Sequence, residues 1–331
     1  MNTYDFSHCM LCPRACGVDR RGLKTGFCGM TQEVWIARAA LHRWEEPCIS
    51  GYLDEGEEGI QDYPKRKQDC PGSGAVFFSG CTLRCVYCQN YPISWQKKGY
   101  PISISRLADI FLELKEQGAC NINLVTPGHF VPQIIEALQI SRQKGMDLPV
   151  VYNTSGYESV ETIRMLEGYI DIYLPDLKYV DSGLSAKYSG APDYFEVASL
   201  AIQEMVRQQP EPFFEQGLLK RGVIVRHLML PGCLLDSKKA VRYLYETYGE
   251  QIYLSLMSQY TPMPGVEKKY PELGHKVKKS SYEKLIDYAL ELGVTQAYIQ
   301  EGETAKESFI PAFDGQGVYQ KEQSPDPDTA V

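Results

Sequence analysis

From residue 75 onward, short apolar, β-branched or aromatic runs alternate with stretches of helical period. The strand candidates are AVFFS (75–79), NINLV (121–125), PVVYN (149–153), DIYLP (171–175), VIVRHLML (223–230), YLSLM (253–257) and QAYIQ (296–300). Helical patterns fall between them, near 104–117, 131–143, 158–167, 193–207, 236–248 and 280–292. In VPQIIEALQI, for example, Val131, Ile134, Ile135 and Leu138 share one face. Alternation repeated this often predicts an α/β fold of parallel strands joined by helical crossovers. Six or seven units make an open or partial barrel, short of the eight of a closed one, with its chemistry at the carboxyl ends of the strands.

The first 74 residues have a different texture. They hold a cysteine-rich segment (9–28), the apolar stretch VWIARAALHRW (34–44) and an acidic loop, YLDEGEEGIQDYPKRKQDCPGSG (52–74), rich in turn formers. Three regions are therefore expected: a cysteine-rich metal-binding segment with the acidic loop (1–74), a core domain (75–315) and a disordered tail (316–331).

Composition changes this picture little. Of 331 residues, 44% are hydrophobic and 23% charged, as in ordinary globular proteins. The net charge of −8 and the lack of a basic block argue against a nucleic-acid partner. No targeting signal and no run of about 18 apolar residues is found, so a cytoplasmic protein without a membrane partner is expected. In that reducing compartment the eleven cysteines read as metal ligands or redox groups rather than disulfides.

Three of them, Cys81, Cys85 and Cys88, lie in CTLRCVYCQN directly after the first strand. Iron–sulfur clusters are normally held by four thiolates. A set of three leaves one iron open, as catalytic metal sites do for a substrate. A second group, Cys9, Cys12, Cys16 and Cys28, supplies a complete set of four, for structural zinc or a further iron–sulfur cluster. Cys48, Cys70, Cys120 and Cys233 have no motif spacing and read as buried or incidental thiols.

FFSGCTLRCVYCQN resembles the cluster loop of the radical S-adenosylmethionine superfamily, a CxxxCxΦC pattern with an aromatic, here Tyr87, before the last cysteine. Its context is similar to the pyruvate formate-lyase activating enzymes and their uncharacterised relatives. The resemblance implies a partial (β/α)6-type radical SAM barrel with an irregular cysteine-rich amino-terminal segment. It also implies a 4Fe–4S cluster on Cys81, Cys85 and Cys88 whose open iron binds S-adenosylmethionine. Reductive cleavage would give a 5′-deoxyadenosyl radical for hydrogen abstraction, with a flavodoxin- or ferredoxin-type electron donor. A protein glycine is the most specific substrate it suggests. Radical modification of a small molecule or of another protein is the alternative, and a non-catalytic iron–sulfur electron carrier is the reading from another class.

The strand ends offer cofactor contacts on the same resemblance. TPGHF (126–130) stands where many superfamily members carry Gly-Gly-Glu, which makes Thr126, Pro127 and Gly128 positional candidates; His129 reads as a loop histidine. YNTSGY (152–157) resembles a DTNG-like turn, with Thr154 the matching hydroxyl and Asn153 in place of the acid. YLPDLKY (173–179) resembles a DLK segment, which offers Asp176 and Lys178 to the methionine end of the cofactor or to a cation. Arg226 lies inside an apolar run and needs an anionic partner, for which the resemblance offers the cofactor's carboxylate or ribose. Next to it, His227 is expected to face the other way. Gln259 and Tyr260 are core by default, and Glu45, Glu46 and Cys48 are expected in a solvated turn.

Overall fold

The computed structural model describes residues 4–51, 71–299 and 311–319. Most of the expected acidic loop and the end of the expected tail lie outside them. In chain order the elements are β1 (Val34–His42), α1 (Pro47–Ser50), β2 (Ser73–Phe78), α2 (Tyr91–Ser94), β3 (Tyr100–Ile102), α3 (Ile104–Glu116), β4 (Ile122–Val125), α4 (Val131–Gln143), β5 (Val150–Thr154), α5 (Val160–Met165), β6 (Ile172–Pro175), α6 (Ser182–Ser189), α7 (Tyr194–Gln208), β7 (Phe213–Glu215), β8 (Leu218–Leu228), α8 (Leu234–Tyr248), β9 (Tyr253–Met257), α9 (Lys279–Leu292) and β10 (Ala297–Ile299).

The strands form one sheet in the order β10-β9-β8-β6-β5-β4-β2-β1-β3, with β7 beside β8. β2, β4, β5, β6, β8, β9 and β10 are parallel neighbours, each pair joined through at least one helix, as the alternating pattern predicts. β1 and β3 extend the β2 edge antiparallel. The sheet ends at two edges, so the barrel is partial.

Period-two alternation separates two buried faces. Val76, Phe78, Leu124, Tyr152, Tyr173, Val223 and Val225 pack under the helices in the main core. Their neighbours Val151, Ile172, Leu174 and Ile224 point into the lumen, where Cys48 and Ile49 of α1 cover them. Ala75, Phe77 and Val125 meet Phe313 and Ile93 there. The 45–51 segment is thus a plug in the lumen, not the solvated turn expected of it. It is held by Asn121 Nδ2 donating to Ile49 O (2.7 Å).

Helix starts follow their caps: Ser103 accepts the Arg106 amide at α3, Ser159 the Thr162 amide at α5 and Asp181 the Leu184 amide at α6. Residues 316–319, expected in the tail, pack on the body of the protein. Val318 is fully buried, and Arg106 donates to the carbonyls of Gly317 and Val318.

Candidate active site

The cysteine loop leaves the carboxyl end of β2 through Gly80, whose φ is +84°. A Cβ there would lie 2.6 Å from Met30 Cγ and 2.8 Å from Cys28 O. Only glycine lets the chain turn this close to the amino-terminal segment. Each of the three sulfurs receives a hydrogen bond: the Leu83 amide donates to Cys81 Sγ (3.4 Å), Ser189 Oγ to Cys85 Sγ (3.1 Å) and Ser94 Oγ to Cys88 Sγ (3.2 Å).

Tyr87 is buried, and its hydroxyl lies 2.5 Å from that of Tyr179, which in turn is 2.9 Å from Ser189 Oγ. With one proton per hydroxyl, a consistent chain runs from Tyr87 through Tyr179 and Ser189 to Cys85 Sγ. The motif's aromatic thus orients a donor toward the Cys85 sulfur.

Burial raises the Cys85 thiol while Lys178 opposes the rise, and burial with Cys85 and Cys81 nearby pushes Cys88 up to about 12. As neutral thiols these groups are poor ligands. Donors aimed at all three sulfurs, and a cation beside one, fit a thiolate-bound cluster. Among the described residues no three His, Cys, Asp or Glu side chains gather around a single ion; a cubane takes its thiolates at separate corners.

Asp176 and Lys178 reach the same place. Lys178 Nζ pairs with Asp176 Oδ2 at 2.5 Å, and both charges act on Cys85. Burial works against the Lys178 charge, but Asp176 and Cys85 hold its pKa above the usual lysine range. Thr126, at the end of β4, has φ +59°, a strained left-handed conformation for a β-branched residue. Thr154 is buried with its hydroxyl on Glu158 Oε1 (2.5 Å).

Glu158 is a feature that spacing did not single out. Burial raises its carboxyl to about 7, and Thr154 and Tyr152 only partly offset the shift. A Cβ on Gly128 would lie 2.6 Å from Glu158 Oε1, so the glycine of TPGHF makes room for this carboxyl. His129 is buried and bonded to Ser79 O (2.7 Å); burial and Arg20 lower its pKa to about 3, as suits a structural loop histidine.

Arg226 is corrected. Its guanidinium lies in the lumen with Nε on Glu46 Oε1 (2.8 Å) and Nη2 on Glu46 Oε2 (2.5 Å) and on Glu45. Asn123 Nδ2 donates to Glu45 Oε1 (2.9 Å). An anionic partner is therefore supplied by the plug, through Nε and Nη2 of the guanidinium. His227 does face the other way, bonded to Leu177 O (2.7 Å). Tyr260 is core, donating to Leu273 O (2.6 Å), and Gln259 O accepts from Gln89 Nε2 (3.2 Å).

Cys48 is a buried free thiol in the plug, and Cys233 is free and partly buried. Cys120 departs from expectation: it is disulfide-bonded. Its amide donates to Gly72 O (3.0 Å), which sets it beside the entry to β2, a proximity made by the sheet and invisible to spacing. Cys70 lies outside the described residues. Ser94 and Ser189, the donors to Cys88 and Cys85, were also missed; Ser189 lies 104 residues from its cysteine.

The radical SAM superfamily model matches residues 75–204, from β2 through most of α7, a span that holds all three cysteines. This segment is a radical SAM domain. For this segment the match implies a 4Fe–4S cluster, S-adenosylmethionine and radical chemistry. An uncharacterized protein of Methanocaldococcus jannaschii is 24% identical over 291 residues, 86% of this chain and 75% of its own. A domain of pyruvate-formate lyase-activating enzyme from Bacteroides vulgatus is 14% identical with a TM-score of 0.36, over 52% of this chain and 91% of that one. Streptococcus suis SuiB bound to S-adenosylmethionine is 14% identical with a TM-score of 0.46, over 67% of this chain and 48% of that one. A chitinase catalytic domain from Pyrococcus furiosus scores 0.36 as well, so these structural likenesses carry nothing about the reaction. No helix among the described residues is long and apolar enough to cross a membrane.

Proposed function

We propose that this chain is an activating-type radical SAM enzyme that abstracts a hydrogen atom from a glycine of a partner protein, with electrons from a flavodoxin- or ferredoxin-type donor. The observation that carries the reading is the three-cysteine loop at the carboxyl end of β2, with a donor on every sulfur. Cys81, Cys85 and Cys88 would hold the cluster. When bound, the cluster supplies an electron to S-adenosylmethionine, whose cleavage leaves methionine and a 5′-deoxyadenosyl radical.

The chain's own residues do the positioning. Leu83, Ser94 and Ser189 fix the ligand sulfurs by hydrogen bonds. Lys178 places a positive charge beside Cys85, and Asp176 holds that lysine in place. The strand-end groups Thr126 and Asp176 would meet the methionine end of the cofactor. Thr154 acts one step removed, through Glu158.

A filled lumen supports a macromolecular substrate. The 45–51 plug fills the lumen, and the Arg226–Glu45–Glu46 cluster lies in it level with Asp176 at the end of β6. Among the described residues the lumen is taken up by protein, which suits a substrate presented from outside, such as a backbone loop of another protein.

The test is anaerobic incubation of the reduced, cofactor-supplied protein with a candidate glycyl-radical enzyme deuterated at glycine. The proposal expects a glycyl radical signal in electron paramagnetic resonance and deuterium in 5′-deoxyadenosine. Deuterium arriving instead from a small molecule would replace the protein substrate while leaving the radical chemistry intact.

A further inference from the structure

Arg20 is fully buried, and no carboxylate among the described residues pairs with it. Its N–H groups point to the carbonyls of Met30 (3.2 Å), Thr31 (2.6 Å) and His129 (2.9 Å) and to Cys9 Sγ (3.5 Å). The rings of Phe6 and Phe130 lie 5.3 and 5.7 Å away. Carbonyls and ring faces solvate a guanidinium but do not neutralise it, and a buried charge needs a counter-charge. Among the described residues the ionisable group that Arg20 donates to is the Cys9 sulfur, with Cys28 also within reach of its charge.

The other sulfurs of the amino-terminal set are also placed as acceptors. The Arg14 and Met30 amides, two residues on in each case, face the Cys12 and Cys28 sulfurs and favour their charged forms. The cysteine loop after β2 has the same arrangement, with the Leu83 amide donating to Cys81 Sγ (3.4 Å). A thiol sulfur accepts weakly and a thiolate strongly, so amides aimed at sulfur favour thiolates. Cys16, the exposed member, packs against the second loop: a Cβ on Gly26 would lie 2.7 Å from its Sγ. Tight turns with positive φ at Ala15, Gly17 and Gly29 shape the two loops.

We propose that Cys9, Cys12, Cys16 and Cys28 bind a metal centre as a tetrathiolate, and that Arg20 is its fixed, buried counter-charge. No three of these side chains gather around a single ion, which suits a 4Fe–4S cluster, with its thiolates at separate corners, better than one zinc. The oxidised cluster leaves two negative charges on four thiolates, which Arg20 offsets in part. The centre would brace the catalytic loop. Cys28 O abuts Gly80, Arg14 Nε donates to Thr82 O (2.9 Å) and Arg84 Nη2 to Phe27 O (2.5 Å).

The test removes the catalytic ligands and reads metal rather than turnover. A Cys81→Ala/Cys85→Ala/Cys88→Ala variant is purified anaerobically, reconstituted separately with zinc and with iron plus sulfide, and analysed for metal and sulfide per chain. One zinc, or one cluster's iron and sulfide, bound per chain is expected, and the arm that loads identifies the centre. A folded variant, by circular dichroism, that binds neither overturns the proposal. Should it fail to fold, Cys16→Ser in the otherwise unaltered chain replaces an exposed ligand. Metal lost beyond the catalytic cluster is then expected, and metal held as in wild type overturns the site. For Arg20, Arg20→Met should release the metal to a chelator at least tenfold faster, with Arg20→Lys restoring most of the difference. Equal release from Arg20→Met and wild type removes the counter-charge role.

Discussion

Arg226 and its two glutamates form the most heavily charged buried contact in the lumen. All three side chains are at most 13% exposed. Burial works against the Arg226 charge, but Glu46 and Glu45 hold it firmly protonated. Arg226→Met would leave two carboxylates without a cation and should cost about 3–5 kcal/mol in chemical denaturation; a loss below about 1 kcal/mol would mean that the cluster is solvated. Glu158 makes a pH-dependent prediction. Its folded pKa, about 7, lies above the ordinary glutamate value, so the folded state favours the protonated acid. Stability from this group is full below about pH 4.5 and falls as pH rises through 7. Glu158→Gln should therefore gain on wild type by roughly 2–3 kcal/mol between pH 4.5 and pH 8. A difference that stays constant across that range would place the carboxyl in contact with water. Residue chemistry was legible where it is local, as in the cysteine spacing. The need of Arg226 for an anion was legible too, but not its source, because Glu45 and Glu46 lie some 180 residues earlier in the chain.

At the scale of elements, the parallel strands were plain because each is an apolar run followed by a helical period. β1 was read only as an apolar stretch. Its register shifts between Ile36 and Arg38 and breaks the alternation that would mark it as a strand. The plug helix α1 spans four residues, too few for any periodicity to register. Yet Ile49 is fully buried against Val151, Ile172 and Ile224. Ile49→Ala should lower stability by about 2–4 kcal/mol in urea titration. A neutral result would show that the plug contributes little to closing the lumen.

At the scale of the whole molecule, the amino-terminal segment is packed onto the loops at the strand ends. Leu11 O receives the hydroxyls of Thr162 and Ser159 at the start of α5, while Arg20 and Arg14 reach the loop after β4 and the catalytic loop. The superfamily match ends at residue 204, but the parallel sheet continues through β8 and β9 to Ile299 in β10. Strand pattern made that extension legible, whereas the docking of the amino-terminal segment depends on contacts between distant residues. The central claim is that three thiolates at the mouth of this partial barrel support cleavage of S-adenosylmethionine. The direct measurement is 5′-deoxyadenosine formed by anaerobically reconstituted protein with dithionite and S-adenosylmethionine. Wild type should form it and Cys85→Ala should fall to the reagent blank; no product from wild type with an intact, reduced cluster, or undiminished product from Cys85→Ala, would contradict the account.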